Sequence, residues 1–144
     1  MYGLKNLSQT IYIIRRPSKT VGLLSYVITI LGHVQKAVDM GYKVVIDMKN
    51  YENMYQQNKK DNAWEYFFEQ PSNISLNDAY RSKNVILAAD IILEERPNDT
   101  NDFYYDEHNR KSWHLLCKEY IRVNPNVNQY VDEIKAELFD DFDN

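Results

Sequence analysis

The side chains most able to bind an anion stand where a short apolar segment ends. Arg15, Arg16 and Lys19 follow Ile11-Tyr12-Ile13-Ile14, and Gly22 comes shortly after them. Clustered guanidinium and ammonium groups attract phosphate, and a glycine lets a ligand approach the backbone closely. The same glycine is equally compatible with a simple turn before the helix that follows.

A carboxylate occupies the corresponding position after a second apolar segment. Asp47 follows Val44-Val45-Ile46, and a polar loop begins at Asn50. In open α/β sheets, ligands bind in the crevice outside the carboxyl ends of the strands, so Asp47 is a candidate for the ligand-facing side. Its alternative role is a cap, or an ion pair with Arg15 or Arg16 on the neighbouring strand.

An aromatic segment from Asn62 to Pro71 follows this loop. It has four aromatic side chains within five residues, namely Trp64, Tyr66, Phe67 and Phe68. Such rings either stack on the apolar face of a sugar or fill the core. Glu65 and Glu69 are four residues apart and so share one face of a helix. This spacing does not identify Glu65 or Glu69 as a general base, and no catalytic residue is assigned.

Size and composition limit the possible functions. The chain has 144 residues, 44% of them hydrophobic, which suits one domain with a sizeable core. A net charge of −4 argues against a general nucleic-acid-binding protein, which needs a basic surface. The single cysteine, Cys117, excludes an internal disulfide and favours a reducing compartment. Three scattered histidines lack the spacing of metal ligands, and no metal is expected.

Hydrophobic patterning predicts a protein without a membrane span. The most apolar run, Val21 to Leu31, falls short of the roughly 20 residues that a spanning helix needs. No cationic segment with an apolar core and a cleavage site begins the chain. These two features predict a cytoplasmic location.

Alternating apolar patterns predict a single α/β domain over residues 1–144. Two strands with a helix between them are expected to be parallel. Residues 1–90 are predicted to form the strand-helix-strand core together with the aromatic segment. Residues 91–144 are predicted to form an irregular segment as far as residue 109, followed by two C-terminal helices. The predicted strands are 10–16, 43–48 and 85–88, and the predicted helices are 23–40, 64–70, 75–81, 112–122 and 125–139.

Three ordered segments resemble a known family. They are Val21-Gly22-Leu23-Leu24-Ser25, the stretch from Val44 to Tyr51, and the stretch from Asn62 to Pro71. With them, Ile11 to Leu87 looks like the N-terminal half of bacterial fucosyltransferase-like glycosyltransferases. This group includes the α1,6-fucosyltransferases, the nodulation fucosyltransferases and, more distantly, the protein O-fucosyltransferases. The resemblance implies an α/β, Rossmann-like three-layer domain with a short parallel sheet, the first half of a GT-B-like enzyme.

The resemblance also implies a substrate class and a division of the site. The donor would be GDP-fucose or a related nucleotide sugar, the acceptor a glycan, and no metal or other cofactor would be required. The donor diphosphate or cleft would be lined by Gly22, Leu23, Ser25, Arg15 and Arg16. The cleft wall or acceptor side would be formed by Asp47, Asn50, Trp64 and Glu65. The family's His-x-Arg-type donor motif belongs to the second half, so this chain is expected to lack it and to turn over little or nothing alone.

Other interpretations remain open. The chain could be a complete non-enzymatic module that binds protein or carbohydrate, a truncated inactive remnant, or a small nucleotide-binding regulator. If the chain is an isolated half of a two-lobed enzyme, the apolar surface that would contact the second half is exposed to water. Because large exposed apolar patches usually find a partner, self-association into a homo-oligomer is also predicted.

Overall fold

Three parallel strands form the centre of the fold in the computed structural model. The structure describes residues 9–88 and 107–140, without the side chains of 107–113 and 140. The strands lie in the order β2-β1-β3 and are β1 (Ile11–Ile14), β2 (Lys43–Ile46) and β3 (Val85–Leu87). Ile11 is aligned with Lys43 on one side and with Val85 on the other. The predicted parallel pairing of the first two strands and the mixed α/β class are confirmed.

Five helices accompany these strands within the described ranges. They are α1 (Leu23–Asp39), α2 (Trp64–Phe67), α3 (Leu76–Arg81), α4 (Glu107–Tyr120) and α5 (Pro125–Asp140). The sequence predicts an irregular segment over residues 91–109. Residues 91–106 lie outside the described part of the structure. Residues 107–109 belong to α4, so the prediction is wrong for these three residues. None of these helices combines the length and hydrophobicity needed to cross a bilayer.

The sheet has a helix on each face because successive side chains of a strand point in opposite directions. Tyr12 and Ile14 of β1 pack with α1, whereas Ile11 and Ile13 pack with α3. All four side chains are buried. A continuous apolar strand of this kind is typical of parallel sheets that are covered on both faces. The arrangement is compatible with a Rossmann-like layout.

Helix α1 follows its predicted boundaries closely. Its buried side chains recur every three or four residues, as in Tyr26, Ile30 and Val34, which gives the helix one apolar side. After the helix, Gly41 adopts a φ of +73°, a left-handed conformation that favours glycine. Its N–H donates to the Val38 carbonyl oxygen at 3.0 Å and helps to end the helix.

The aromatic segment forms a shorter helix than its sequence predicts. Helix α2 ends at Phe67, because Phe68 is extended and pairs as an isolated antiparallel bridge with Val123. The Glu69 N–H donates to the Arg122 carbonyl oxygen at 2.8 Å beside this bridge. The same pairing explains why α4 stops at Tyr120, although its helix was predicted to reach Arg122.

Helix α3 begins where its sequence predicts. The Ser75 side chain accepts a hydrogen bond from the Asp78 N–H at 3.1 Å, which is the expected N-cap contact. Leu76 and Ala79 then face the sheet and are buried against β1 and β2. The predicted cap is therefore confirmed, and it fixes the helix that later supplies Tyr80 to the site.

Side chains form hydrogen bonds with the backbone N–H and carbonyl groups at the outer edge of β2. The Gln70 amide accepts from the Ile46 N–H and donates to the Ile46 carbonyl oxygen, both at 2.8 Å. Asn62 accepts from the Met48 N–H at 2.9 Å, and Ser72 donates to a β2 carbonyl oxygen at 2.7 Å. These contacts pair backbone groups that an edge strand would otherwise present to a second chain.

The two C-terminal helices differ in how they pack. Leu116 and Tyr120 of α4 contact the core on the α1 side of the sheet. Helix α5 is capped by Asn124, whose side chain accepts from the Asn126 N–H at 3.0 Å. It exposes a series of apolar side chains, namely Tyr130, Val131, Ile134, Leu138 and Phe139. Whether these mediate self-association stays a prediction.

Candidate ligand-binding cavity

A cavity of about 790 Å³ opens at the carboxyl ends of β1 and β2. Its charged lining residues are Arg15, Lys49, Lys60 and Glu65, and its neutral polar lining residues are Asn50, Asn62, Asn77 and Tyr80. The volume falls within the roughly 300–1,000 Å³ typical of small-molecule sites. Its position is the one at which parallel α/β sheets bind ligands.

Asp47 lies behind this cavity and is completely buried. One carboxylate oxygen accepts the backbone N–H groups of Lys49 and Asn50 at 2.8 and 3.1 Å. The other accepts from the Asn50 side-chain amide at 2.9 Å and from the Tyr80 hydroxyl, and lies 3.4 Å from Arg15 Nε. The ion pair anticipated for Asp47 is therefore present. Its carboxylate orients three cavity-lining side chains.

The Arg15 guanidinium is held from three directions. Besides the ion pair with Asp47, it donates to the Asn50 carbonyl oxygen at 3.2 Å. Its central carbon lies 5.6 Å from the centre of the Tyr51 ring, within the range of a cation–π contact. Because these contacts restrict the side chain, Arg15 presents its positive charge to the cavity with little freedom to reorient.

Two tyrosine hydroxyls of this region are held in their protonated form. Burial raises the pKa of Tyr80, and its hydrogen bond to Asp47 raises that pKa further. Burial is also the largest cause of the raised pKa of Tyr51. A phenol with a raised pKa remains a neutral hydrogen-bond donor at physiological pH.

Lys49 and Lys60 add two exposed ammonium groups to the lining. The Gln56 side chain brings the two ends of their loop together, because it donates to the carbonyl oxygens of Lys49 and Asp61, both at 3.0 Å. Asn53 supports this closure by donating to the Met48 carbonyl oxygen at 3.0 Å. The loop therefore delivers both lysines to one cavity.

Arg16 serves helix α1 instead of the cavity. Its guanidinium donates to the Ser25 hydroxyl at 2.6 Å, to the Ser25 carbonyl oxygen at 2.9 Å and to the Thr29 hydroxyl at 2.7 Å. Neither Arg16 nor Ser25 is among the cavity-lining residues, and the same holds for Gly22 and Leu23. Gly22 has an extended backbone, and a side chain placed there would meet nothing within 4 Å.

The residues predicted for the cleft wall are divided between the cavity and the core. Asn50 and Glu65 line the cavity, and Asp47 lies behind it. Trp64 is completely buried, donates from its indole N–H to the Glu69 carbonyl oxygen at 3.1 Å, and packs on Phe68. Its ring is therefore part of the core and has no face available for a sugar.

A His-x-Arg tripeptide does occur in the chain, contrary to expectation. It is His108-Asn109-Arg110, in the first turns of α4 and beyond the segment that carries the family resemblance. Its side chains lie outside the described part of the structure. Among the described side chains, those of residues 9–88 and 114–139, no group of three His, Cys, Asp or Glu is placed to hold a metal ion.

Tyr80, Lys49 and Lys60 are site residues that the sequence interpretation missed. Lys49 stands two residues after Asp47, so the argument from the strand end applies to it as well. No comparable signal marks Lys60 or Tyr80, which reach the cavity only through the folded loop and through α3. The chain matches no protein family model, no curated protein and no solved structure.

Proposed function

We propose that the chain forms the N-terminal half of a fucosyltransferase-like glycosyltransferase, which moves a sugar from GDP-fucose or a related nucleotide sugar to a glycan acceptor. The observation that carries this proposal is the polar cavity at the carboxyl ends of β1 and β2. Amide, phenol and carboxylate groups hydrogen-bond to sugar hydroxyls, and cations complement phosphate. Both kinds of group line this cavity.

The fold supports the proposal at a coarser level. A short parallel sheet with helices on both faces is compatible with one Rossmann-like lobe of a GT-B enzyme. In such an enzyme the second lobe would complete the cleft. Sugar transfer needs stabilisation of the departing diphosphate together with a positioned acceptor hydroxyl. We therefore expect this half alone to bind ligand and to turn over little.

Each cavity residue has a role in this proposal. Arg15 supplies a fixed positive charge, because Asp47 and Tyr51 hold its guanidinium in place. Asn50 offers a side-chain amide, and Glu65 offers an exposed carboxylate that can accept a hydrogen bond from a sugar hydroxyl. The turn at Gly22 remains a second candidate for contact with the donor diphosphate, as the family resemblance implies.

Ligand-observed NMR and calorimetry with the full chain test the proposal. The panel would contain GDP-fucose, GDP-mannose, UDP-glucose, GDP and free fucose. We expect saturable binding of a nucleotide sugar, weakened about tenfold by Arg15→Ala through the loss of one charged contact. Arg122→Ala is the matched control, because Arg122 also pairs with a carboxylate, Glu69 at 3.3 Å, but does not line the cavity.

The outcomes separate the competing functions. A folded chain that binds no nucleotide sugar would overturn the proposal. Saturable binding of neutral oligosaccharides without any preference for a nucleotide would instead support a non-enzymatic carbohydrate-binding module. Binding of GDP as tight as that of GDP-fucose would favour a nucleotide-binding regulator, because the sugar would then contribute nothing to recognition.

A further inference from the structure

We infer that the cavity recognises a sugar through an anionic substituent, a phosphate or a carboxylate, that binds at Lys49 and Lys60. The inference rests on the proposed function and specifies the chemistry of the ligand at that site. It differs from the family-based expectation, which assigns the diphosphate to the turn at Gly22. The juxtaposition that carries it is two ammonium groups and one carboxylate around a single cavity.

The two lysines have no ion-pair partner in the described part of the chain. Neither ammonium group forms an ion pair or a hydrogen bond with another described residue. Other cations near this end of the sheet are already engaged, since Arg15 pairs with Asp47 and Lys19 pairs with Glu52 at 2.7 Å. Positive charge at the cavity is thus available to a ligand.

The loop that carries the lysines is ordered by its own side chains. Asn53 accepts the N–H groups of Tyr55 and Gln56 at 3.2 and 3.0 Å, and Gln56 closes the loop onto Lys49. Next to Lys60, the buried Asn62 donates to the Ile46 carbonyl oxygen at 2.8 Å. The backbone positions of both lysines are therefore set before a ligand arrives, which lowers the entropic cost of binding.

Glu65 makes a bare inorganic anion a poor match for the same cavity. Its carboxylate is exposed and, within the described residues, has no ion-pair partner. A carboxylate repels a small polyanion but accepts hydrogen bonds from hydroxyl groups. A ligand with an anion at one end and hydroxyls at the other satisfies Lys49, Lys60 and Glu65 together. An anionic sugar has this arrangement.

Calorimetry on the full chain at low ionic strength tests the inference. The probes are fucose 1-phosphate, glucuronate, neutral fucose and inorganic phosphate. We expect both anionic sugars to bind at least about tenfold more tightly than neutral fucose, and to weaken as salt screens the lysines. In Lys49→Ala/Lys60→Ala this advantage is lost. Lys59→Ala is the control, because Lys59 neighbours Lys60 and is exposed but does not line the cavity.

Glu65→Gln provides a second and independent readout. Removing the negative charge should improve the binding of inorganic phosphate more than that of fucose 1-phosphate, because only the sugar phosphate also loses a charged acceptor for its hydroxyl groups. The preference for fucose 1-phosphate over inorganic phosphate therefore falls. An unchanged ratio would contradict the role given to Glu65. Thermal melting of each variant verifies that it is folded.

Two further binding experiments identify whether the anionic group belongs to the donor or to the acceptor. Displacement of fucose 1-phosphate by GDP-fucose would assign it to the donor, and binding of an acidic oligosaccharide alongside GDP-fucose would assign it to the acceptor.

Equal affinity for neutral and anionic sugars, or folded lysine variants that bind as the parent does, would overturn the inference. Lysine-dependent binding of anionic sugars without any binding of GDP-fucose would leave the inference standing and remove the proposed function. Undiminished binding of both GDP-fucose and the anionic sugars by the double variant would do the reverse.

Discussion

The hydroxyl group of Tyr80 donates a hydrogen bond to the buried carboxylate of Asp47 at the carboxyl end of the sheet. This contact joins α3 to the end of β2 and fixes the phenol in the cavity wall. Tyr80→Phe removes a hydrogen bond to a charged acceptor, so we expect the free energy of unfolding to fall by about 1–2 kcal/mol. Urea denaturation measures the change. Tyr130→Phe, on the exposed face of α5, should leave the unfolding curve unchanged.

Alkaline pH should destabilise the protein through the same residue. Burial and the contact with Asp47 raise the pKa of Tyr80 above that of an unfolded tyrosine, which is about 10. The folded state then holds this proton more tightly than the unfolded chain does. Its contribution to stability is complete below about pH 10 and is lost as the pH rises further. Urea denaturation between pH 8 and 11 should show a shallower decline for Tyr80→Phe than for the parent. Parallel declines would contradict this.

Asp47→Asn should cost more stability than any substitution on the cavity rim. The new amide presents N–H groups to donors that now bind a carboxylate, and Arg15 loses its ion-pair partner. We expect a loss of about 3 kcal/mol in the free energy of unfolding. A double-mutant cycle with Arg15→Met isolates the pair, and the double variant should lose less than the sum of the single ones. Strict additivity would show that the two side chains are not coupled.

Much of the fold could be predicted from local patterns. β1 and α1 are marked by a β-branched run and by a one-sided apolar repeat that ends at Gly41. The end of α2 and the start of α4 were predicted wrongly. The first depends on a tertiary contact, and the second has no apolar residues to mark it. Phe68 leaves the helical conformation because it pairs with Val123, and α4 begins in a polar turn at Glu107. Neither feature is visible in the periodicity of the sequence.

The candidate site was predictable only where it touches the strand ends. Asp47 and Arg15 follow β-strands directly, so their proximity follows from parallel pairing. Lys60 and Tyr80 come from distant positions in the chain and meet the others through loop closure and the packing of α3. Such contacts depend on hydrogen bonds like that of Gln56, which a single sequence does not reveal.

Gln70→Ala should weaken the outer edge of the sheet. The Ile46 N–H is buried and loses its acceptor, while the Ile46 carbonyl oxygen keeps its bond from Asn62. An unsatisfied buried donor costs about 1–3 kcal/mol, and we expect a loss of that size in urea denaturation. Hydrogen exchange should also become faster at the Ile46 amide. The exposed Gln57→Ala is the control, and equal effects of the two substitutions would rule out a specific role for Gln70.

Trp64 should behave as a core residue and not as a sugar-stacking platform. In a Trp113→Phe background its fluorescence reports on one completely buried indole, so we expect blue-shifted emission and weak quenching by acrylamide. Saturating sugar ligand should leave that emission unchanged. Trp64→Ala should lower the free energy of unfolding by about 3–5 kcal/mol, because it removes a buried aromatic ring and leaves a cavity. Phe139→Ala, at an exposed position of α5, should change it by less than about 0.5 kcal/mol. Strong quenching of Trp64 by a sugar would show that its ring is accessible to ligand and would contradict the packing seen here.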